Sequence, residues 1–298
     1  MRKLCASFGA GLCFTEMVSA KGLKYGSENT KELLYTAQDE GVCAAQIFGS
    51  EPDIMRLACE HTALEPFPIV DINMGCPVPK IYKNGEGSAL LENPLLAENI
   101  VKACVKSGKI ITVKCRIGVR ENEYITKEFA KRMAGAGASL LTIHGRTREQ
   151  MYGGVADREI IKNVKSALHI PVIANGDILS GADAISMLSD TGADGIAIGR
   201  GAVGNPFLFS EITCALEGKE YNEPEISKRI DAALLQLSLA IEEKGEAIAV
   251  TEARKQIALY LRSFRGAAKI RALINRALTY KEVADALNSA LLEEKYET

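Results

Sequence analysis

The sequence predicts an α/β protein, a (β/α)8 TIM barrel followed by a C-terminal all-helical domain. Seven short apolar segments recur at residues 11–17, 43–48, 69–74, 110–116, 139–144, 171–175 and 194–199. Stretches with helical spacing of apolar residues separate them, over 53–60, 95–107, 126–136, 158–166 and 182–189. Polar residues close one segment after another: Gln46, Asn73, Lys114 with Arg116, His144 with Arg146, Asn175 with Asp177, and Arg200.

Each observation has a physical reason. Apolar segments without clean alternation suit strands buried on both faces. Strands that alternate with helices make a parallel sheet with crossover connections. Polar groups spread over successive strand ends describe the C-terminal rim of a barrel. The competing architecture, an open doubly wound sheet, would gather them at one switch point.

The strand count is one short of eight. A helix-like segment, residues 2–8, opens the chain where a first strand would come before it, so the first strand is expected to be missing from this sequence. After residue 216 the pattern changes. Residues 217–224 are polar, and from 225 onward the apolar spacing is helical throughout. The expected division is a barrel over 1–216 and a helical domain over 217–298.

The composition, 47% hydrophobic and 25% charged over 298 residues, is that of a soluble protein with room for one large and one smaller domain. Eight cysteines include no C-x-x-C pair, and there are three histidines, which argues against disulfides and a zinc site. Reduced thiols in a cytoplasmic protein, with no metal, are the expectation. Glu16 interrupts the apolar start that would otherwise resemble a secretion signal, and no segment is apolar enough for a membrane span.

The leading catalytic candidate is Cys76, in Asp71-Ile72-Asn73-Met74-Gly75-Cys76-Pro77. Gly75 allows close backbone approach and Pro77 stops a helix, so the cysteine sits on a tight turn at a strand end. A free thiol is mostly protonated near neutral pH and can donate a proton. The glycine-rich Lys83-Asn84-Gly85-Glu86-Gly87-Ser88-Ala89 that follows suits a segment closing over a substrate. Lys114 and Arg116 fall on one side of their strand, opposite Cys115, and a lysine directed inward there calls for an anion or acceptor. His144 ends the next strand. Asn175-Gly176-Asp177 and Gly199-Arg200-Gly201 end the last two, where barrels often build a phosphate site.

The formal net charge of −2 hides a local asymmetry. Eight basic residues, Arg254, Lys255, Arg262, Arg265, Lys269, Arg271, Arg276 and Lys281, occur with no Asp or Glu between the first and the last. Such a stretch suits a phosphate backbone.

Together these motifs resemble the tRNA-dihydrouridine synthases, in particular their bacterial DusB-like branch. The likeness also includes Thr15-Glu16-Met17, Ala45-Gln46-Ile47-Phe48-Gly49, Ile143-His144-Gly145-Arg146-Thr147 and Gly266-Ala267-Ala268-Lys269-Ile270-Arg271. It implies a monomeric FMN enzyme that reduces uridine to 5,6-dihydrouridine in the D-loop of tRNA with electrons from NADPH, without a protein partner. Hydride would reach C6 of the base, and Cys76 would protonate C5. The resemblance places Gln46, Lys114 and His144 on the flavin ring or polyol chain. Asn175, Gly176, Asp177, Gly199 and Arg200 would hold its ribityl-phosphate end. Asn73 would help orient the base, Lys114 and Arg116 are candidates to stabilise the oxyanion that develops on it, and Arg254, Lys269 and Arg271 would meet the tRNA. Gln256 stands where a basic residue or a histidine is expected. Two other readings stand beside this one: an FMN barrel acting on a free pyrimidine or small alkene, and a non-catalytic RNA-binding protein.

Overall fold

In the computed structural model the described residues are 1–37, 39–124 and 126–295. Seven strands form one parallel sheet: β1 (Cys13–Ser19), β2 (Cys43–Phe48), β3 (Ile69–Met74), β4 (Ile110–Arg116), β5 (Leu140–His144), β6 (Val172–Asn175) and β7 (Gly195–Ala197). Each strand pairs with its neighbours in sequence, in the order β1-β2-β3-β4-β5-β6-β7. A doubly wound sheet would reverse direction at a switch point, so the unbroken order selects the TIM-barrel-like arrangement.

Burial explains the apolar runs. β3 is buried continuously from Val70 to Met74, and β4 is largely buried from Ile111 onward. The strands expected over 43–48, 69–74 and 110–116 form with those bounds. β1 extends past its expected end because Met17, Val18 and Ser19 pair with Gln46, Ile47 and Phe48. An irregularity between Phe14 and Met17 breaks the ladder, and the Thr15 hydroxyl accepts the Gln46 backbone N–H at 3.0 Å. β7 is shorter than its apolar run, pairing with β6 only from Gly195 to Ala197.

The crossover helices start where their sequences supply caps. Asn93 accepts from the Leu96 N–H ahead of the Pro94–Val105 helix. Asp157 and Ser180 do the same for Arg158–Lys165 and Gly181–Thr191, accepting from Ile160 and Asp183. Each cap satisfies a donor the first helical turn leaves open.

The chain divides into two compact units. One comprises Arg2 and Ala10–Gly199, and holds the sheet. The other comprises Met1, Lys3–Gly9 and the residues from Arg200 onward. The polar segment at 217–224 therefore lies inside the second unit, along with the Leu208–Leu216 helix. Its later helices, Ile226–Lys244, Glu246–Ala258, Ala267–Ile274 and Tyr280–Lys295, bury Leu237, Val250, Ile257, Ile270 and Leu287 together. No helix among the described residues is long and apolar enough to cross a membrane.

A polar chain crosses this helical core. The Tyr260 hydroxyl donates to Gln236 Oε1 at 2.7 Å, and Gln236 Nε2 donates to Gln256 Oε1 at 2.8 Å. Gln256 thus has a structural use in this unit. Tyr260 is fully buried, so Tyr260→Phe strands the Gln236 oxygen and is expected to cost about 1–3 kcal/mol. Urea denaturation followed by circular dichroism measures this, and an unchanged midpoint would mean that the bond carries no net stability.

Candidate active site

Side chains on neighbouring parallel strands that share a register level point to the same face, and every second residue returns to it. Gln46, Asp71 and Thr112 occupy one level across β2, β3 and β4. Two residues further along, Asn73, Lys114 and Thr142 occupy the next. Arg116, His144 and Asn175 form a third. Three tiers of polar residues therefore climb one face of the sheet toward the strand C-termini.

Their hydrogen bonds form a continuous relay. Asp71, fully buried, accepts from Thr112 Oγ1 at 2.6 Å and from Gln46 Nε2 at 2.7 Å. Gln46 Oε1 accepts from Asn73 Nδ2 at 2.9 Å. Asn73 Oδ1 then accepts from the backbone N–H groups of Gly75 at 3.1 Å and Cys76 at 2.8 Å. The turn that carries the cysteine hangs, through two amides, on a buried carboxylate.

The turn is closed from other sides too. Arg116 Nε donates to the Gly75 carbonyl at 2.9 Å. The Cys76 carbonyl accepts from the Ser88 N–H at 3.1 Å and its hydroxyl at 2.8 Å. Gly87, at φ 60°, lies where a Cβ would come 3.0 Å from both the Cys76 Cβ and Ile81 Cγ2. A larger residue there would push the glycine-rich segment off the cysteine. Cys76 itself is a free thiol, 7% exposed.

Electrostatics divide the neighbouring groups. Burial raises the Asp71 pKa, against the opposing effect of its hydrogen bonds from Thr112 and Gln46. Burial lowers the Lys114 pKa, which the Asp71 charge partly offsets. Lys114 is half-buried, and no described residue takes a hydrogen bond or ion pair from its ammonium. His144 is pushed down to about 3 by burial and by the charges of Arg116, Lys114 and Arg146, so it is neutral at physiological pH. Burial places the thiol of Cys115, on the opposite face of β4, at about 12.

Arg116 is buried and its donors are heavily used. Besides Gly75, it donates through Nη1 to the carbonyls of Thr147 and Met151, each at 2.8 Å. The Asn175 amide donates to the Ala197 carbonyl at 2.7 Å. Asp177 Oδ2 accepts from Arg146 Nη2 and the Ala156 N–H, both at 2.8 Å. Gly176, at φ 130°, passes where a Cβ would meet the Ala156 Cβ at 2.6 Å and the His144 ring at 3.3 Å. Gly199 is exposed, and apart from its chain neighbours no heavy atom of the described residues lies within 4 Å of the position a Cβ would take.

Several contributors to the site are not singled out by the sequence pattern. Asp71 lies within the quoted motif, and a carboxylate between Val70 and Ile72 in an apolar strand is itself a signal of a buried polar partner. Thr112 and Ser88 give no comparable signal, because their roles depend on contacts across strands and loops; Arg146 stands out at its strand end, but its partners do not.

In the helical unit, Lys255, Arg262, Arg265, Lys269, Arg276 and Lys281 are exposed, as is Arg200. Arg254 and Arg271 are half-buried and bonded to carbonyls, Arg254 Nε to Ala277 at 2.8 Å and Arg271 Nη2 to Leu261 at 3.1 Å. A cavity of about 510 Å³ is lined by Thr251, Glu252, Arg254, Lys255 and Asn275.

The neutral state of His144 has a testable sign. Its folded pKa of about 3 lies below the ~6.5 of an unfolded histidine, so protons favour the unfolded chain. The stability it contributes is present above pH ~6.5 and is lost as pH falls toward 3. In the folded protein, NMR of its ring is expected to show no titration between about pH 5 and 8. A midpoint near ~6.5 would contradict this.

Comparisons with known proteins agree on the lineage. The family model described as dihydrouridine synthase (Dus) matches residues 1–296. The probable tRNA-dihydrouridine synthase 1 of Synechocystis sp. is 40% identical over 282 residues, 94% of this chain and 79% of that protein. The tRNA-dihydrouridine synthase B of Pasteurella multocida is 38% identical over 288 residues, 96% of this chain and 87% of that protein. Among solved structures, a variant of NCR from Zymomonas mobilis matches 76% of this chain and 82% of its own, with a TM-score of 0.53 at 17% identity. That likeness shows the shared fold. With the family model spanning nearly every residue, the chain belongs to the dihydrouridine synthase family.

Proposed function

We propose that this chain reduces uridine to 5,6-dihydrouridine in the D-loop of tRNA, with FMN as its flavin and NADPH as electron donor, and with Cys76 as the acid. The observation that carries the reading is the Cys76 turn, fixed by the Asn73 amide at the C-terminal end of β3 in a chain of this family.

The residues present fit a flavin. A half-buried ammonium with no acceptor among the described residues, Lys114, stands one strand from the neutral His144. Such a donor suits the electron-rich edge of a flavin ring. Gln46 and His144 would join Lys114 there. Gly199 leaves open space around its backbone, as a phosphate cradle needs. With Gly176, Asn175 and Arg200 it would hold the ribityl-phosphate end. The Asp177 carboxylate, already committed to Arg146 and the Ala156 N–H, would act by fixing the loop rather than by meeting phosphate. When bound, FMN supplies the hydride that goes to C6 of the uracil.

The chain's own residues would do the rest. The Cys76 thiol would give its proton to C5, which gains electron density as C6 is reduced. Asn73 would orient the base as well as the turn. Arg116 would act chiefly by holding Gly75, since Nε and Nη1 are spent on carbonyls. A base inside a folded tRNA must leave its stack to reach a strand-end site. The exposed basic residues of the helical unit, Lys269 among them, and the half-buried Arg254 and Arg271 would meet the phosphates of the surrounding RNA. A free pyrimidine would need no such surface.

Cys76→Ala is expected to abolish dihydrouridine formation on tRNA, by about 10²-fold or more, while the flavin stays bound and is still reduced by NADPH. Nucleoside mass spectrometry of the tRNA and the visible spectrum of the protein measure the two halves. Near-normal dihydrouridine would remove Cys76 from the chemistry, and a colourless protein that takes up no FMN would refute the cofactor.

A further inference from the structure

The segment from Cys76 to Glu92 leaves the strand end and folds back on itself. On its inner side Gly87 lies against the cysteine, with the Ile81 side chain against Gly87, and its main chain closes where Ser88 bonds to the Cys76 carbonyl. Its outer side carries Tyr82, on the short Pro79–Lys83 helix. The Arg148 guanidinium lies 3.8 Å from the Tyr82 ring centroid. Arg148 Nε is buried with no hydrogen-bond partner among the described residues, and the ring face is what that guanidinium meets.

The other contacts tie three loops together. The Tyr82 hydroxyl donates to Glu92 Oε2 at 2.5 Å, and Glu92 Oε1 pairs with Arg120 Nη2 at 3.0 Å. Arg120 belongs to the segment after β4. Arg148 belongs to the segment after β5, and its N–H bonds to the Gly118 carbonyl at 3.0 Å. Loops from β3, β4 and β5 therefore meet at one aromatic ring, next to the residue whose side chain packs on Gly87.

We propose that Tyr82 and Arg148 form a clasp that holds the glycine-rich segment shut over Cys76, which makes both of them positioning residues for the thiol. A cation over a half-buried ring and a phenol on a carboxylate are together strong enough to bias an open–closed equilibrium of a surface loop. Without the clasp, Gly87 lifts from the Cys76 Cβ, and water and small electrophiles reach the sulfur. The consequence for turnover rests on the reaction proposed above, whereas the closure of the loop does not.

The test is pulsed alkylation of the full-length protein with iodoacetamide, read peptide by peptide by mass spectrometry. Cys104 and Cys115, both fully buried, serve as internal standards for global unfolding. Tyr82→Leu and Arg148→Met are each expected to speed alkylation of Cys76 roughly tenfold, with both standards unchanged. Tyr82→Phe keeps the stack and loses the Glu92 bond, so it is expected to fall between wild type and Tyr82→Leu. The double variant should label no faster than the faster single one, since either change opens the same clasp. Cys76 labelling at the wild-type rate in both single variants would overturn the proposal. So would acceleration only in step with Cys104 and Cys115. In a parallel assay, Tyr82→Leu should lower kcat for dihydrouridine formation without slowing reduction of the flavin by NADPH, and Tyr82→Phe should restore most of it. A wild-type protein that makes no dihydrouridine would refute the reaction, while the labelling rates would still decide whether the clasp exists.

Discussion

A carboxylate with no access to water sets the geometry on which the rest of this site depends. Asp71 sits in the middle of β3, and hydrogen bonds from Thr112 and Gln46 offset the cost of its burial. Those bonds fix the Gln46 amide, which fixes the Asn73 amide, which holds the two N–H groups of the cysteine turn. Each step has one orientation that satisfies both partners, so the relay transmits position from the sheet interior to its rim. The charge on Lys114, one tier higher, partly balances the carboxylate and has no ion-pair partner among the described residues on the side where a ligand would lie.

This arrangement explains why the polar tiers tolerate so many like charges. Burial first, and then the charges of Arg116, Lys114 and Arg146, depress the His144 pKa, and the imidazole stays neutral as a result. Both arginines direct their nitrogens at loop carbonyls, Arg116 at Gly75, Thr147 and Met151, and Arg146 at Gly153 and Gly154. They work as braces for the segments after β3 and β5. The rim of the face they surround is thus braced by the chain's own hydrogen bonds, while the Lys114 ammonium has no hydrogen-bond or ion-pair partner among the described residues.

Much of this is legible from the residues alone. The period of the apolar segments is a local property, and β2, β3 and β4 form with the expected bounds because burial on both faces leaves little choice of register. β1 and β7 deviate where the apolar pattern is not what ends a strand: a ladder irregularity in β1, and loss of a pairing partner beyond Ala197 in β7. Cys76, Asn73, Lys114 and His144 stand out because each breaks the pattern at a strand end. Arg148 and Tyr82 do not. They lie in segments without periodicity, and their meeting is decided by how three loops pack. The same holds for Gln256, whose partner Gln236 comes from another helix.

The central physical claim is that the buried carboxylate positions the thiol. The most direct measurement is single-turnover dihydrouridine formation on tRNA by Asp71→Asn, which puts an amide where the relay needs only acceptors. A slowing of roughly 10- to 100-fold is expected, with tRNA affinity and the folded state retained, as small misplacements of a catalytic group commonly cause. A rate equal to that of the wild type would show that the Cys76 turn holds its place without Asp71, and would contradict that claim.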